Sequence, residues 1–241
     1  MCLFGRTLAT LVGLISVLVW SMASGQIPDE FKNLQVLPKD VGKAELVETM
    51  KSFTNALGVR CQYCHLGEEG KPLTTFDFVS DAKETKQAAR VMLRMVRAIN
   101  NDHLTQLSKR SEHPLQVSCV TCHHGQNRPR SLEEVLFEEI SAKGAQAGIE
   151  KYHELRTNYY GGFTFDFRER ALNNLAQQLL SSGKIDDAIE MLKLNAQTNP
   201  DSWMTYFQLG EIYLSKGEKA PAIENYKKSL TLRPDNPMAQ K

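Results

Sequence analysis

Through ELVETMKSFTNALGV the apolar side chains Leu46, Met50, Phe53 and Leu57 recur at steps of four, three and four. That spacing places them on one face of a helix, with polar residues between. The same step returns in KETKQAARVMLRMVRAIN, where Ala88, Met92, Met95 and Ile99 form a second stripe, and superposing the stripes sets Met92 on Met50. Beyond Arg130, RPRSLEEVLFEEISAKGAQAGIEKYHELRTNYYGG carries two further helical patterns. Ser131, with Glu134 three residues later, predicts a capping box at the first of them. Gly161 and Gly162, followed by FTFDF, predict a connection.

The last third repeats itself. Leu209, Gly210, Tyr213, Gly217, Ala222, Tyr226 and Pro234 have counterparts 34 positions earlier at Leu175, Ala176, Leu179, Gly183, Ala188, Leu192 and Pro200. This is the period and residue pattern of the tetratricopeptide (TPR) repeat. It predicts paired helices that approach at the small residues 176, 188, 210 and 222, turn at Gly183 and Gly217, and stop before the prolines. About three such units are needed for a continuous core. The helices between Leu132 and Asn158, or the preceding domain, are therefore expected to complete it. Surfaces of this kind usually bind protein segments; a purely structural extension is the other reading.

The first 25 residues differ from the rest. Arg6 precedes an apolar run from Leu8 to Trp20, with Ser21, Ala23 and Gly25 as small residues for cleavage after Ala23 or Gly25. The run is short for a bilayer, which takes about 20 residues. An export signal is expected over 1–25, with an uncleaved membrane anchor as the rival. The expected location is periplasmic or extracellular. At 241 residues, 41% hydrophobic and 24% charged, the chain has the composition of an ordinary soluble protein of one or two domains. Its formal net charge is +1 and its charges are mixed along the chain, which gives no electrostatic footprint for nucleic acid.

Export changes how the cysteines read. Cys2 lies in the signal, and the four that remain, Cys61, Cys64, Cys119 and Cys122, stand in CQYCH and CVTCH. Each pair is followed at once by a histidine, His65 or His123, in the CxxCH pattern of c-type haem attachment. Two thiols on one helical turn can each add to a vinyl group on one edge of a porphyrin. The next residue then brings an imidazole to the iron. A zinc site would use the same residue types, but the 54 residues between Cys64 and Cys119 exceed the usual knuckle separation. Two disulfides would suit an oxidising compartment but leave both histidines unexplained. For the second axial position the stripes offer Met50 and Met92, with Met95 as the competitor. A methionine on such a stripe can also simply fill core. The two halves read as a duplicated unit, a methionine-bearing helix followed by CxxCH. His113 and His153 belong to no constellation; His124 reads as a solvent-facing or propionate-contacting neighbour, and His103, which could approach an iron, as a polar helix end.

The stretches FKNLQVLPKD, ELVETMKSFTNALGVRCQYCH, FVSDAKETKQAARVMLRMVRAIN and SCVTCHHG resemble the cytochrome c subunit of photosynthetic reaction centres, over roughly residues 30 to 130. The resemblance implies His/Met ligation of most haems, hence Met50 with His65 and Met92 with His123. The chain departs from that family in having two haem motifs where the photosynthetic subunit has four.

The expected fold is mainly α: a helical dihaem cytochrome c domain over 26–130, a helical connector or degenerate repeat over 131–167, an α-solenoid of two TPR repeats over 168–235, and a tail over 236–241. The expected cofactors are two covalently bound haem c groups, with Cys61, Cys64, Cys119 and Cys122 as attachment residues and His65, Met50, His123 and Met92 as iron ligands. The expected function is one-electron transfer to a redox partner protein, with the repeats making protein–protein contacts and the membrane involved if the signal stays uncleaved. His/Met ligation leaves no open coordination position and raises the reduction potential, which suits a carrier rather than an enzyme. A dihaem peroxidase, which needs a five-coordinate iron, and a haem-bearing sensor or scaffold are the alternatives.

Overall fold

The computed structural model describes residues 27, 28, 30–107 and 115–236. The expected signal segment, His113 and most of the expected tail lie outside them. Among the described residues the chain forms nine α-helices and no extended sheet, only one isolated bridge between Leu66 and Asp77. In chain order these are α1 (Lys43–Leu57), α2 (Glu84–Ala98), α3 (Cys119–His123), α4 (Leu132–Lys143), α5 (Ala145–Tyr159), α6 (Glu169–Ser181), α7 (Ile185–Thr198), α8 (Trp203–Ser215) and α9 (Lys219–Leu232).

From α4 onward the helices form three stacked hairpins, α4–α5, α6–α7 and α8–α9. The capping box at the start of α4 is formed. Ser131 Oγ accepts from the Glu134 amide at 3.2 Å and Glu134 Oε2 accepts from the Ser131 amide at 2.8 Å. Leu136, Ile140 and Tyr152 lie in the same buried cluster as Leu172, Leu175, Leu179 and Leu192, so the pair α4–α5 supplies the third hairpin. The small residues sit where helices cross: Ala176, Ala188 and Ala222 are buried, and a Cβ on Gly210 would lie 2.8 Å from the Tyr226 ring. Gly183 and Gly217, at φ +73° and +78°, turn the chain between helices in a conformation that side chains disfavour.

The seam between α6, α7 and α8 is polar. Asn195, fully buried, donates through Nδ2 to Glu169 O and Asn173 Oδ1 at 2.8 Å, and lies 2.9 Å from Thr205 Oγ1. Thr205 Oγ1 also donates to Asn173 Oδ1 at 2.9 Å. Buried polar groups cost little only when paired, and here each finds a partner on another helix.

The first half is held differently. Before Leu132, Leu46 and Ala56 are the buried apolar side chains among the described residues, while Lys86 and Arg90 on α2 are only 9% and 7% exposed. Lys86 Nζ donates to the carbonyls of Phe78 and Ser80 at 2.9 and 2.7 Å, and both cations meet Asp81, Lys86 at 3.2 Å and Arg90 at 2.8 Å. Asn33 Nδ2 donates to the same carboxylate at 2.9 Å. With Arg90 and Asn33 first among its partners, Asp81 is held well below the usual carboxylate range. The face of α2 that meets protein is thus charged. Its apolar stripe points outward.

α2 runs on into a π-helical turn, Ile99–His103, and a 3₁₀ turn, Leu104–Gln106. Asn100 closes the segment by pairing both ways with the Val117 backbone, each bond 2.8 Å. That leads the chain directly to the second cysteine pair.

Candidate functional site

The first CxxCH closes a single turn. Cys61–Tyr63 is a 3₁₀ turn, and the Cys61 carbonyl accepts from the amides of Cys64 at 3.2 Å and His65 at 2.9 Å. Both thiols and the imidazole therefore leave one short arc of backbone. Lys83 Nζ donates to Gln62 O, and Thr85 Oγ1 donates to Tyr63 O, which pins the arc to the start of α2. Burial pushes the Cys64 thiol up, opposed by its hydrogen bond with Thr85. The His65 ring stands edge-on to Phe78, with centroids 5.0 Å apart. Burial, reinforced by the charges of Lys86, Lys83 and Arg90, pushes His65 down to about 4. Its imidazole is neutral at pH 7, the form that ligates a metal.

The second CxxCH is the short helix α3. Thr121 Oγ1 accepts from the Ser118 amide at 3.0 Å at its start, and His124 ends it in the left-handed region at φ +47°. Within it the His123 ring lies with Nδ1 2.7 Å from the Gln126 carbonyl. A neutral ring that donates from Nδ1 to this carbonyl leaves the other nitrogen, Nε2, with its lone pair. Burial also pushes the Cys119 thiol up.

The two units interlock. The first CxxCH is bonded to the start of α2, as above. The turn after the second is bonded to the end of α1, through Gly125 N to Ala56 O at 2.9 Å. Each cysteine pair is thus tied to the helix of the other unit, an arrangement that reading the units in series did not anticipate.

Met50 is half-buried on α1, beside the buried Leu46 in the same stripe. Met92 and Met95 are 42% and 46% exposed, so exposure does not choose between them. His103, His124 and His153 are exposed, the last with its ring 5.6 Å from that of Tyr152. Residues that the motifs did not point to are Gly58, Gly125, Gln126 and Thr164. Of these, Gly58 alone carried a sequence cue, as a glycine closing a helical stripe.

These residues fit a covalently attached haem. Among the described residues all four cysteines are free thiols, and no three His, Cys, Asp or Glu side chains gather as metal ligands would. Each thiol pair adjoins a histidine, and α2 turns Val91, Met92 and Met95 outward where a flat apolar group could cover them.

Helical architecture with two such turns is the pattern of a c-type cytochrome. The comparisons agree: the model of the photosynthetic reaction centre cytochrome C subunit family matches residues 19–173, and the chain belongs to that family. A tetratricopeptide repeat model matches residues 205–236. Cytochrome c-554 of Chloroflexus aurantiacus is 37% identical over 102 residues, 42% of this chain and 22% of that protein. The photosynthetic reaction center cytochrome c subunit of Thermochromatium tepidum is 31% identical over the same shares. The chain thus spans about a fifth of the length of these relatives. A solved structure, PcrH in complex with the chaperone binding region of PopB, is similar over 45% of this chain and 83% of that one, at TM-score 0.30 and 16% identity.

Proposed function

We propose that the chain is an exported dihaem c-type cytochrome that passes single electrons to a redox partner, and that its helical stack docks or assembles it. The observation that carries this reading is the pair of CxxCH turns, each offering two free thiols and an imidazole from one arc of backbone. Haem, when bound, supplies the one-electron couple. The protein's part is to hold and orient. Cys61 with Cys64, and Cys119 with Cys122, anchor by thioether bonds. His65 is kept neutral by burial and by three cations, and His123 is oriented by the Gln126 carbonyl. Met50 and Met92 would hold the irons from the other side and would exclude small ligands, which separates a carrier from a peroxidase. The stack presents a shallow surface lined by Leu180, Met204, Phe207 and Glu211 for a protein segment.

The test is haem stoichiometry of the purified protein. Two haems per chain, retained in acidic organic solvent, are expected, and Cys119→Ser with Cys122→Ser should leave one. One haem in the unaltered chain, or extractable haem, would overturn the reading.

A further inference from the structure

The segment that leads into α6 touches the turn that follows the second CxxCH. Thr164 Oγ1 donates to the carbonyl of His124 at 2.7 Å, across 40 residues of sequence. Gln126, whose carbonyl orients His123, sends its side-chain amide to Arg130 O at 3.2 Å and reaches Thr164 O at 3.4 Å. Thr164 in turn stands on a rigid base. Its neighbour Phe165 is 9% exposed within the core of the stack, and its ring meets those of Tyr159 and Phe167 at 5.4 and 6.2 Å. His124 and Gly125 both have positive φ, so the turn between His123 and Gln126 is sharp. Its carbonyls are fixed by what they bond to.

We propose that Thr164 and Gln126 are positioning residues for His123, so that the helical stack is part of the proximal support of the second haem. This rests on the haem reading above. The Nδ1–H bond to a carbonyl sets the plane of the imidazole and raises its basicity, and so its donation to iron. The carbonyl concerned belongs to Gln126, and the turn that presents it is clamped by Thr164. Loosening the clamp weakens that bond, lowers ligand basicity and favours the reduced iron. The same turn meets α1 only through Gly125, away from His65, so the first haem should respond less.

The experiment uses the full chain carrying both haems. Thr164→Val keeps shape and removes the hydroxyl, and Thr164→Ser restores it; Gln126→Met removes the side-chain donors while keeping the carbonyl. Each is read by redox titration and by the low-spin electron paramagnetic resonance of the oxidised protein. Thr164→Val and Gln126→Met should each shift one haem toward reduction by up to about tenfold in its equilibrium constant, about 59 mV for one electron. They should also move that haem's g-values, with Thr164→Ser close to the unaltered protein. In a Cys119→Ser, Cys122→Ser background the Thr164→Val effect should vanish. Two haems with unchanged potentials and g-values in both variants, or equal shifts of the two haems, would overturn the proposal. An unaltered chain without two haems would overturn the functional reading instead.

Discussion

A Cβ on Gly58 would lie 2.1 Å from the carbonyl oxygen of Gly125. The end of the first methionine-bearing helix and the turn after the second CxxCH therefore touch backbone to backbone, and Gly58 also needs φ +63° to end α1. Gly58→Ala should destabilise the protein by about 2–4 kcal/mol, combining left-handed strain with a forced separation of the two segments. Gly70, at φ +78° with nothing within 4 Å, is the comparison. Gly70→Ala should cost only about 1–2 kcal/mol. Chemical denaturation of the two variants checks this, and equal losses would mean that the Gly125 contact contributes nothing.

Asp81 gathers Lys86, Arg90 and Asn33 onto one carboxylate. Its folded state holds the proton less readily than the unfolded chain, where an aspartate titrates near 3.9. The stabilisation is therefore full well above about pH 4 and is lost as pH falls from there toward the folded value. Asp77, Asp166 and Asp186 are also held low, so the unaltered protein loses stability in acid from several sources. The difference between it and Asp81→Asn isolates one of them. Urea midpoints at pH 7, 4 and 3 should converge as pH falls, and a constant gap would refute the assignment.

Asn195→Leu would remove the buried amide that donates to Asn173 Oδ1 and Glu169 O, leaving Asn173 Oδ1 with its bond from Thr205 alone. Each such loss costs about 1–3 kcal/mol, so a destabilisation of about 2–5 kcal/mol is expected. Thermal unfolding followed by far-ultraviolet circular dichroism measures it. A neutral result would mean that water replaces the lost donor.

Met50→Ala and Met92→Ala should each remove about half of the far-red sulfur-to-iron absorption of the oxidised protein, while Met95→Ala leaves it intact. Carbon monoxide should bind the reduced unaltered protein slowly and incompletely, because it must displace a sulfur, and faster after either ligand substitution. Loss of the band in Met95→Ala with its retention in Met92→Ala would reverse the assignment on α2.

The helical stripes, the capping box at Ser131 and the 34-residue period were all legible, because each depends on spacing along one or two adjacent helices. The same spacing could not say what covers a stripe. Ala88, Met92, Met95 and Ile99 share a face as expected, yet Ala88, Met92 and Met95 are exposed, and it is Lys86 and Arg90 on the same helix that are buried. A buried pair of cations reads in sequence as an ordinary solvated face, since its partners Asp81 and Asn33 are brought up by loops. The contacts of Thr164 with His124 and of Gly58 with Gly125 span 40 and 67 residues of chain and involve backbone carbonyls. Carbonyls have no letter in a sequence.

Among the described residues the buried hydrocarbon lies almost entirely after residue 131, whereas the four cysteines of the CxxCH turns come before it. Synthesis runs in the same order, and the end of α9 emerges roughly ten seconds after Cys122 at about 5–20 residues per second. Throughout that interval the thiol pairs are on a chain that has little of its own to fold around. Under the proposed haem reading, the order of the two halves would offer the thiol pairs for attachment before their support is made, so a chain with the halves exchanged should acquire haem less completely even with every contact preserved.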